Sequence, residues 1–367
     1  MRIRVMCLLT AAALAALPLG GTTQQFAYPE TKKVEQKDVY HGTPVDDPYR
    51  WLESDVRESK EVAAWVEEQN KVTFSYLESL PHRSAIKERL TEAWNYEKYS
   101  IPVKEGGRYF FQKNDGLQNQ SVLYVQNSLS DPPRVLIDPN GWSKDGTVAL
   151  SGYAISDDGK HIAYRVAEAG SDWVTIKVME IDSGKILPDE IRWVKFSGMS
   201  WTKDGKGFFY SRYPQPEQGA TFQSLNKNQK LYYHRLGTQQ SDDVVVYARP
   251  DHPEWSIGGA VTEDGRYLII YITKGTDPKQ QVLVRDLSEP YAMPVTLVDK
   301  FENEYSFVGN EGPLFHFKTD VDAPRRRLVA IDIRNPERAN WKEIIPQTEN
   351  LLSDVDWVGG HLVAEYL

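Results

Sequence analysis

Cysteine is nearly absent: Cys7 is the only one among 367 residues. No intramolecular disulfide can form, so stability must come from the core alone. A positive balance of charge is absent as well. Lys and Arg number 43 against 52 Asp and Glu, a formal charge of -9. Phosphate binding needs a basic field, so a nucleic-acid partner is excluded. The run Arg325-Arg326-Arg327 follows Asp322 and Pro324 and reads as a solvated turn. Long apolar runs are missing after the N-terminus. The stretch from Val5 to Leu19 lies behind Arg2 and Arg4 and ahead of Gly20 and Gly21. It is too short for a comfortable membrane span and has the pattern of a secretory signal. Residues 1–23 are expected to be a signal peptide, whose removal would take Cys7 with it. The mature protein is expected to be periplasmic or secreted, with no membrane span.

Catalytic and ligand motifs are missing too. The serine elbow Gly-x-Ser-x-Gly does not occur, and its nearest approach, Gly198-Met199-Ser200-Trp201-Thr202, lacks the last glycine. The seven histidines (His41, His82, His161, His234, His252, His316 and His361) show no paired zinc spacing. His161 and His316 lie at or beside expected blade strands, where surface or edge packing is the default. Asp157-Asp158 and Asp242-Asp243 lack the regular spacing of a calcium loop. There is no phosphate loop and no dinucleotide fingerprint. No catalytic residue, metal site or cofactor is expected.

What is present is aromatic and repetitive. The chain holds 20 Tyr, 12 Phe and 10 Trp and is 40% hydrophobic, ample for a packed interior. Residues 28–96 carry helical periodicity. One amphipathic helix is expected over 61–80, with Val62, Trp65, Val72, Tyr76 and Leu80 near one face, ended by Pro81. A second is expected over 84–94, and an extended stretch around residues 46–53 precedes both. From about Tyr99 the period changes to two, in short β-branched and aromatic runs such as Val174–Met179 and Val244–Tyr247. A glycine turn feeding an apolar strand recurs at Gly107, Gly159, Gly205, Gly265, Gly312 and Gly360, at spacings of 52, 46, 60, 47 and 48. These turns are expected to be two-residue hairpins, in which glycine reaches positive φ without steric cost. Four antiparallel strands per repeat of this size describe a propeller blade. Residues 97–367 would then hold about five blades and part of a sixth. Trp201, Trp255 and Trp357, just before turns, would fill space between neighbouring blades. Pro214 to Asn228 reads as an exposed loop within the third blade.

Several stretches resemble the prolyl oligopeptidase family of serine endopeptidases. They are Asp47-Pro48-Tyr49-Arg50-Trp51-Leu52-Glu53, Gly116–Gln120, Asp145–Tyr153, Gly170-Ser171-Asp172-Trp173-Val174-Thr175-Ile176, Val194-Lys195-Phe196-Ser197-Gly198-Met199-Ser200-Trp201 and Lys230-Leu231-Tyr232-Tyr233-His234. The likeness runs from about Tyr28 to the end. It implies a mainly β fold: an incomplete seven-bladed propeller behind an N-terminal helical segment that would pack on a missing α/β-hydrolase domain. It also implies cleavage of short peptides after proline, with the triad C-terminal to the propeller and the ring limiting access by size. By resemblance, Phe196 would line the substrate pocket with apolar surface, and Asp172 would face the cavity and attract a peptide's amino end. The implied partners are short proline-containing peptides and the C-terminal peptidase domain. The family's cysteine near Val246 is not matched here. A stand-alone periplasmic propeller that binds without catalysing is the alternative, and would be a stable closed ring.

Overall fold

The computed structural model describes residues 26–217, 221 and 224–367; the expected signal peptide lies outside them. The chain divides into one unit up to Lys87 and a second from Glu88 onward. In the first, strands β1 (Lys37–Tyr40) and β2 (Thr43–Asp46) pair in a hairpin. Its turn is His41-Gly42, with φ of 51° and 82°. Positive φ at both turn residues suits the twist of a two-residue hairpin. This ribbon lies just ahead of the stretch expected to be extended, 46–53, whose second half turns instead.

The Asp47–Glu53 signature acts locally. Residues Arg50–Glu53 form a 3-10 turn, and the Arg50 guanidinium bonds the carboxylates of Asp38 and Asp47. Helix α1 covers Lys60–Ser79 and is capped by Ser59, whose hydroxyl accepts the Val62 N–H. Four of the five expected face residues are buried or half-buried, and Leu80 is exposed. Trp65 meets Trp51 edge-on at 6.4 Å and donates its indole N–H to Thr31 at 3.1 Å. Helix α2 (Arg83–Trp94) buries no residue and leaves Ile86, Leu90 and Trp94 exposed.

The second unit is a series of antiparallel meanders. The first contains β3 (Lys98–Tyr99), β4 (Val103–Glu105), β5 (Arg108–Asn114), β6 (Val122–Gln126) and β7 (Arg134–Ile137). Both β3 and β4 pair with β5, so the inner strand is split, at Ile101-Pro102. Proline has no N–H for the ladder. The second blade is β8 (Val148–Ile155), β9 (His161–Glu168), β10 (Val174–Glu180) and β11 (Ile186–Val194). The third is β12 (Met199–Trp201), β13 (Gly207–Arg212), β14 (Lys230–Arg235) and β15 (Val244–Ala248). The fourth is β16 (Trp255–Val261), β17 (Tyr267–Lys274), β18 (Gln280–Asp286) and β19 (Val295–Val298). The fifth is β20 (Tyr305–Glu311), β21 (Leu314–Thr319), β22 (Arg327–Asp332) and β23 (Lys342–Ile345). The hairpin β24 (Leu352–Val358) and β25 (His361–Tyr366) opens a sixth. In four of the five blades, the third and outer strands slip register by a bulge at one homologous place, as at Leu123/Tyr124 and Leu231/Tyr232. Such a bulge increases local twist.

The expected two-residue turns occur at Gly106-Gly107, Gly312-Pro313 and Gly359-Gly360. Blades two to four differ. There the Asp-Gly pair sits in a four-residue loop, 157–160 in blade two, closed by the Ser156 and Gly159 N–H groups bonding the carbonyls of His161 and Ser156. The Asp158 carboxylate accepts the Ser156 hydroxyl at 2.7 Å and the Lys160 N–H at 3.0 Å. Thr202 with Asp204, and Thr262 with Asp264, repeat the arrangement. The extra residues are stabilised by a side-chain cap that the aspartate and hydroxyl supply together.

Hydrophobic cores lie between blades. Phe110 and Leu123 of the first pack with Ile162, Tyr164 and Met179 of the second. Ile176, Val178 and Ile191 pack with Trp201, Phe208 and Tyr210 across the next interface. Each blade thus presents two apolar faces and needs a neighbour on each. The tryptophans fill these seams as expected. Trp201 stacks on His161 and donates to the Ala154 carbonyl at 3.0 Å. Trp255 is buried among residues of blades three and four, and Trp357 packs on His316.

Candidate functional site

Strand parity gives the propeller two unlike ends. Inner-to-second turns and third-to-outer turns share one end with the glycine pairs. Second-to-third loops and the links between blades share the other. Asp172 lies in the β9–β10 loop and Phe196 in the link from β11 to β12, so both occupy the end opposite the Asp-Gly turns. The described parts of the β13–β14 loop, residues 214–217, 221 and 224–228, belong to this same end.

There the side chains form an aromatic cluster. Trp173 meets Trp193 edge-on at 5.9 Å and Tyr213 at 6.2 Å, and donates its indole N–H to the Thr221 carbonyl at 2.8 Å. The Lys195 ammonium sits 4.5 Å from the centroid of Trp173 and 5.7 Å from that of Phe196, and bonds Asn226 at 3.2 Å. Lys195 thereby joins the two stretches that carry Asp172 and Phe196. Phe196 itself is 62% exposed. Its φ is +53°, and that of Trp193 is +62°. Left-handed conformations cost bulky residues about 1–2 kcal/mol each, and such strain concentrates at functional positions. Asp172 is exposed, and its carboxylate makes no hydrogen bond or ion pair among the described residues.

The opposite end holds a cavity of about 750 Å³, lined by inner strands of the first four blades. Glu105, Asp157 and Glu263 border it, and Lys203 bonds Asp157 at 2.8 Å. Burial pushes the Glu105 carboxyl up, and the Asp157 and Glu263 carboxylates push it further against the pull of Lys203. Neither Asp172 nor Phe196 reaches this cavity.

One polar node was not foreseen from the histidine pattern. The His234 side chain, on β14, is fully buried between two carboxylates. Its Nε2 lies 2.9 Å from Asp189 Oδ1 of blade two, and its Nδ1 lies 2.7 Å from Asp243 Oδ1. The Tyr210 hydroxyl donates to Asp243 Oδ2 at 2.6 Å, and the Gly237 N–H to Asp189 Oδ1 at 2.7 Å. Burial opposes the imidazolium, but the carboxylates outweigh it and hold the pKa up at about 9. The signal available was an Asp189 alternating with Leu187, Ile191 and Trp193 on the apolar face of an outer strand, an unlikely place for an unpaired carboxylate. His316 is buried as well, not at an edge, and burial lowers its pKa. Ser200 is structural: its hydroxyl accepts the Val261 N–H of the fourth blade at 2.8 Å.

Comparison with known proteins fits this architecture. A model of the prolyl oligopeptidase N-terminal β-propeller domain matches residues 29–367. The chain belongs to the prolyl oligopeptidase family. A prolyl endopeptidase of Elizabethkingia meningoseptica is 37% identical over 359 residues, covering 97% of this chain and 50% of that protein. Prolyl oligopeptidase A of Amanita bisporigera is 36% identical over 356 residues, covering 87% of this chain and 46% of that protein. Among solved structures, prolyl oligopeptidase B of Galerina marginata, bound to a 35mer hydrolysis and macrocyclization substrate, superposes with a TM-score of 0.78 at 32% identity. That superposition covers 92% of this chain and 50% of the other. The chain thus spans about half the length of the relatives it matches, their N-terminal propeller portion. Among the described residues, no helix is long and apolar enough to cross a membrane.

Proposed function

We propose that this chain is the N-terminal and propeller portion of a secreted or periplasmic serine endopeptidase that cuts short peptides after proline. Catalysis would run through an acyl-enzyme whose serine and histidine lie in a C-terminal α/β-hydrolase domain. The observation that carries the reading is the family match over residues 29–367, together with a Phe196 held exposed at positive φ on one end of the propeller. An exposed aromatic ring on a strained backbone suits contact with a bound peptide. Asp172, exposed at the same end, would attract the peptide's amino terminus. The exposed Ile86, Leu90 and Trp94 of α2 suit docking against the peptidase domain. The propeller would admit peptides of modest length and exclude folded proteins. The reading of residues 1–23 as a signal peptide supports export. The stand-alone binding module is the less favoured alternative, because the family match carries peptidase relatives on every side.

The purified chain is expected to bind a Gly-Pro peptide through its exposed aromatic end and to show no turnover of a chromogenic Gly-Pro substrate. Turnover by this chain would refute the assignment of the chemistry to another domain. A reading frame beyond codon 367 without a Gly-x-Ser-x-Gly would refute the endopeptidase reading.

A further inference from the structure

Phe196 sits on a backbone that would relax if left alone, so something must hold it. Both neighbouring carbonyls are held. The Lys195 carbonyl accepts from Gln229 Nε2 at 3.0 Å. Gln229 is buried, and its Oε1 takes the N–H of Ile257 in β16 at 2.8 Å. The Ser197 carbonyl accepts from Arg165 Nη1, while Nη2 of the same guanidinium donates to the Ser151 carbonyl at 2.9 Å. Ser151 is the bulged residue between β8 and β9, and the bulge turns its carbonyl toward the arginine. Gly152 leaves room for this: a Cβ there would lie 2.2 Å from Arg165 Nη2. No carboxylate pairs with Arg165 among the described residues; its two terminal nitrogens bond backbone carbonyls. A guanidinium is a rigid planar fork, so it fixes the distance between the two carbonyls it joins. The buried Ser197 hydroxyl adds a third tie, accepting the Ser211 N–H at 2.7 Å.

We propose that Arg165 and Gln229 are positioning residues that hold residues 195–197 in the left-handed turn from which Phe196 meets a bound peptide. The proposal rests on the reading of Phe196 as a peptide contact. Arg165 ties the turn to the inner strand of blade two, and Gln229 ties it to blade four. Neither side chain needs to touch the peptide.

Two measurements on the full chain separate this inference from that reading. The first uses hydrogen–deuterium exchange without ligand. In R165M, and independently in Q229M, the amides of residues 195–198 should exchange about tenfold faster, with β9 and β13 unchanged. Wild-type exchange at 195–198 in both variants would overturn the positioning role. The second titrates a Gly-Phe-Pro-Leu peptide carrying a C-terminal fluorophore. F196A should weaken binding about tenfold, as expected for losing much of a phenylalanine contact. R165M should weaken it about three- to tenfold in the wild-type background and not further when combined with F196A. An equal loss in both backgrounds would overturn the proposal, since it would mean that Arg165 does not act through Phe196. If F196A binds as tightly as wild type, the peptide-contact reading fails first and the inference falls with it.

Discussion

Raising the pH from 6.5 toward 9.5 should strip the proton that His234 shares with Asp189 and Asp243, loosening the seam between blades two and three. The imidazole's ordinary pKa is 6.5, and the folded value is about 9. A base whose pKa is raised on folding stabilises the native state fully below its unfolded pKa. That contribution is lost as the pH climbs through the folded one. The window is therefore 6.5 to about 9, with stability falling as pH rises. The span corresponds to about 3 kcal/mol. The groups facing the imidazole are accounted for: two carboxylates, the Gly237 N–H on Asp189, the Tyr210 hydroxyl on Asp243, and the Phe208 ring at 5.3 Å. Burial and Asp243 both raise the Tyr210 pKa, so its proton stays in place through the window.

The assay is urea unfolding at half-unit pH steps, followed by tryptophan fluorescence, with NMR titration of the His234 ring in parallel. D243N keeps an amide oxygen for Nδ1, turns the Tyr210 hydroxyl from donor to acceptor of the new NH2, and removes one charge, so the decline should move to lower pH. H234Q should flatten the decline, at a cost of about 3–5 kcal/mol below pH 7, because two buried carboxylates lose their counter-charge. A wild-type urea midpoint that stays level from pH 6.5 to 9.5, or a folded His234 that titrates at or below 6.5, would refute the reasoning.

The other predictions concern backbone and packing. Gly106 meets Gly159 turn against turn, and a Cβ on Gly106 would lie 2.3 Å from the Gly159 Cα. G106A should therefore cost several kcal/mol, against about 1 kcal/mol for G107A, whose Cβ meets open space; equal thermal midpoints for the two variants would contradict this. F196G should stabilise the chain by about 1 kcal/mol by relieving the left-handed strain while weakening peptide binding. A lowered midpoint would show that the ring is structural. W201F should cost about 1–2 kcal/mol through the lost bond to the Ala154 carbonyl and the seam volume, read as a shift in urea midpoint.

Most of the architecture was legible because a propeller repeats its grammar. Period-two runs and glycine turns recur in every blade, and tryptophans precede the turn in three of the copies, so each copy corroborates the others. The two helices were legible through Pro81 and their apolar spacing. The β1–β2 hairpin was not, since His41-Gly42 is a weaker turn signal than Asn-Gly or Asp-Gly. The four-residue loops were missed for a related reason. Asp-Gly alone suggests a tight hairpin, and only the preceding Ser156, Thr202 or Thr262 marks the longer, capped form. Asp172 and Phe196 entered by family resemblance, because an exposed phenylalanine at positive φ leaves no trace in hydrophobic spacing. The His234 node was hidden by distance along the chain: Asp189 lies 45 residues away, and only the blade seam joins them.

The separation of the propeller's ends follows from strand parity, and it limits what each end can do. At the glycine end, adjacent loops touch through backbone, as at Gly106 and Gly159, and the carboxylates of Asp158, Asp204 and Asp264 are already bonded within their own loops. Other carboxylates at this end, those of Glu105, Asp157 and Glu263, lie around the cavity. At the other end lie the second-to-third loops and the links between blades, from which the exposed Asp172 and Phe196 side chains extend. A link can tolerate left-handed residues because its cost is spread over ties to two blades, Arg165 on one side and Gln229 on the other. The same seams that supply the hydrophobic core supply those ties. Weakening the seam between blades two and three at His234 should therefore reach Phe196 as well: D189N should raise amide exchange at residues 195–198 more than at the distant β21. Exchange that rises only in β11 and β14 would show that the seam and the displayed ring are independent.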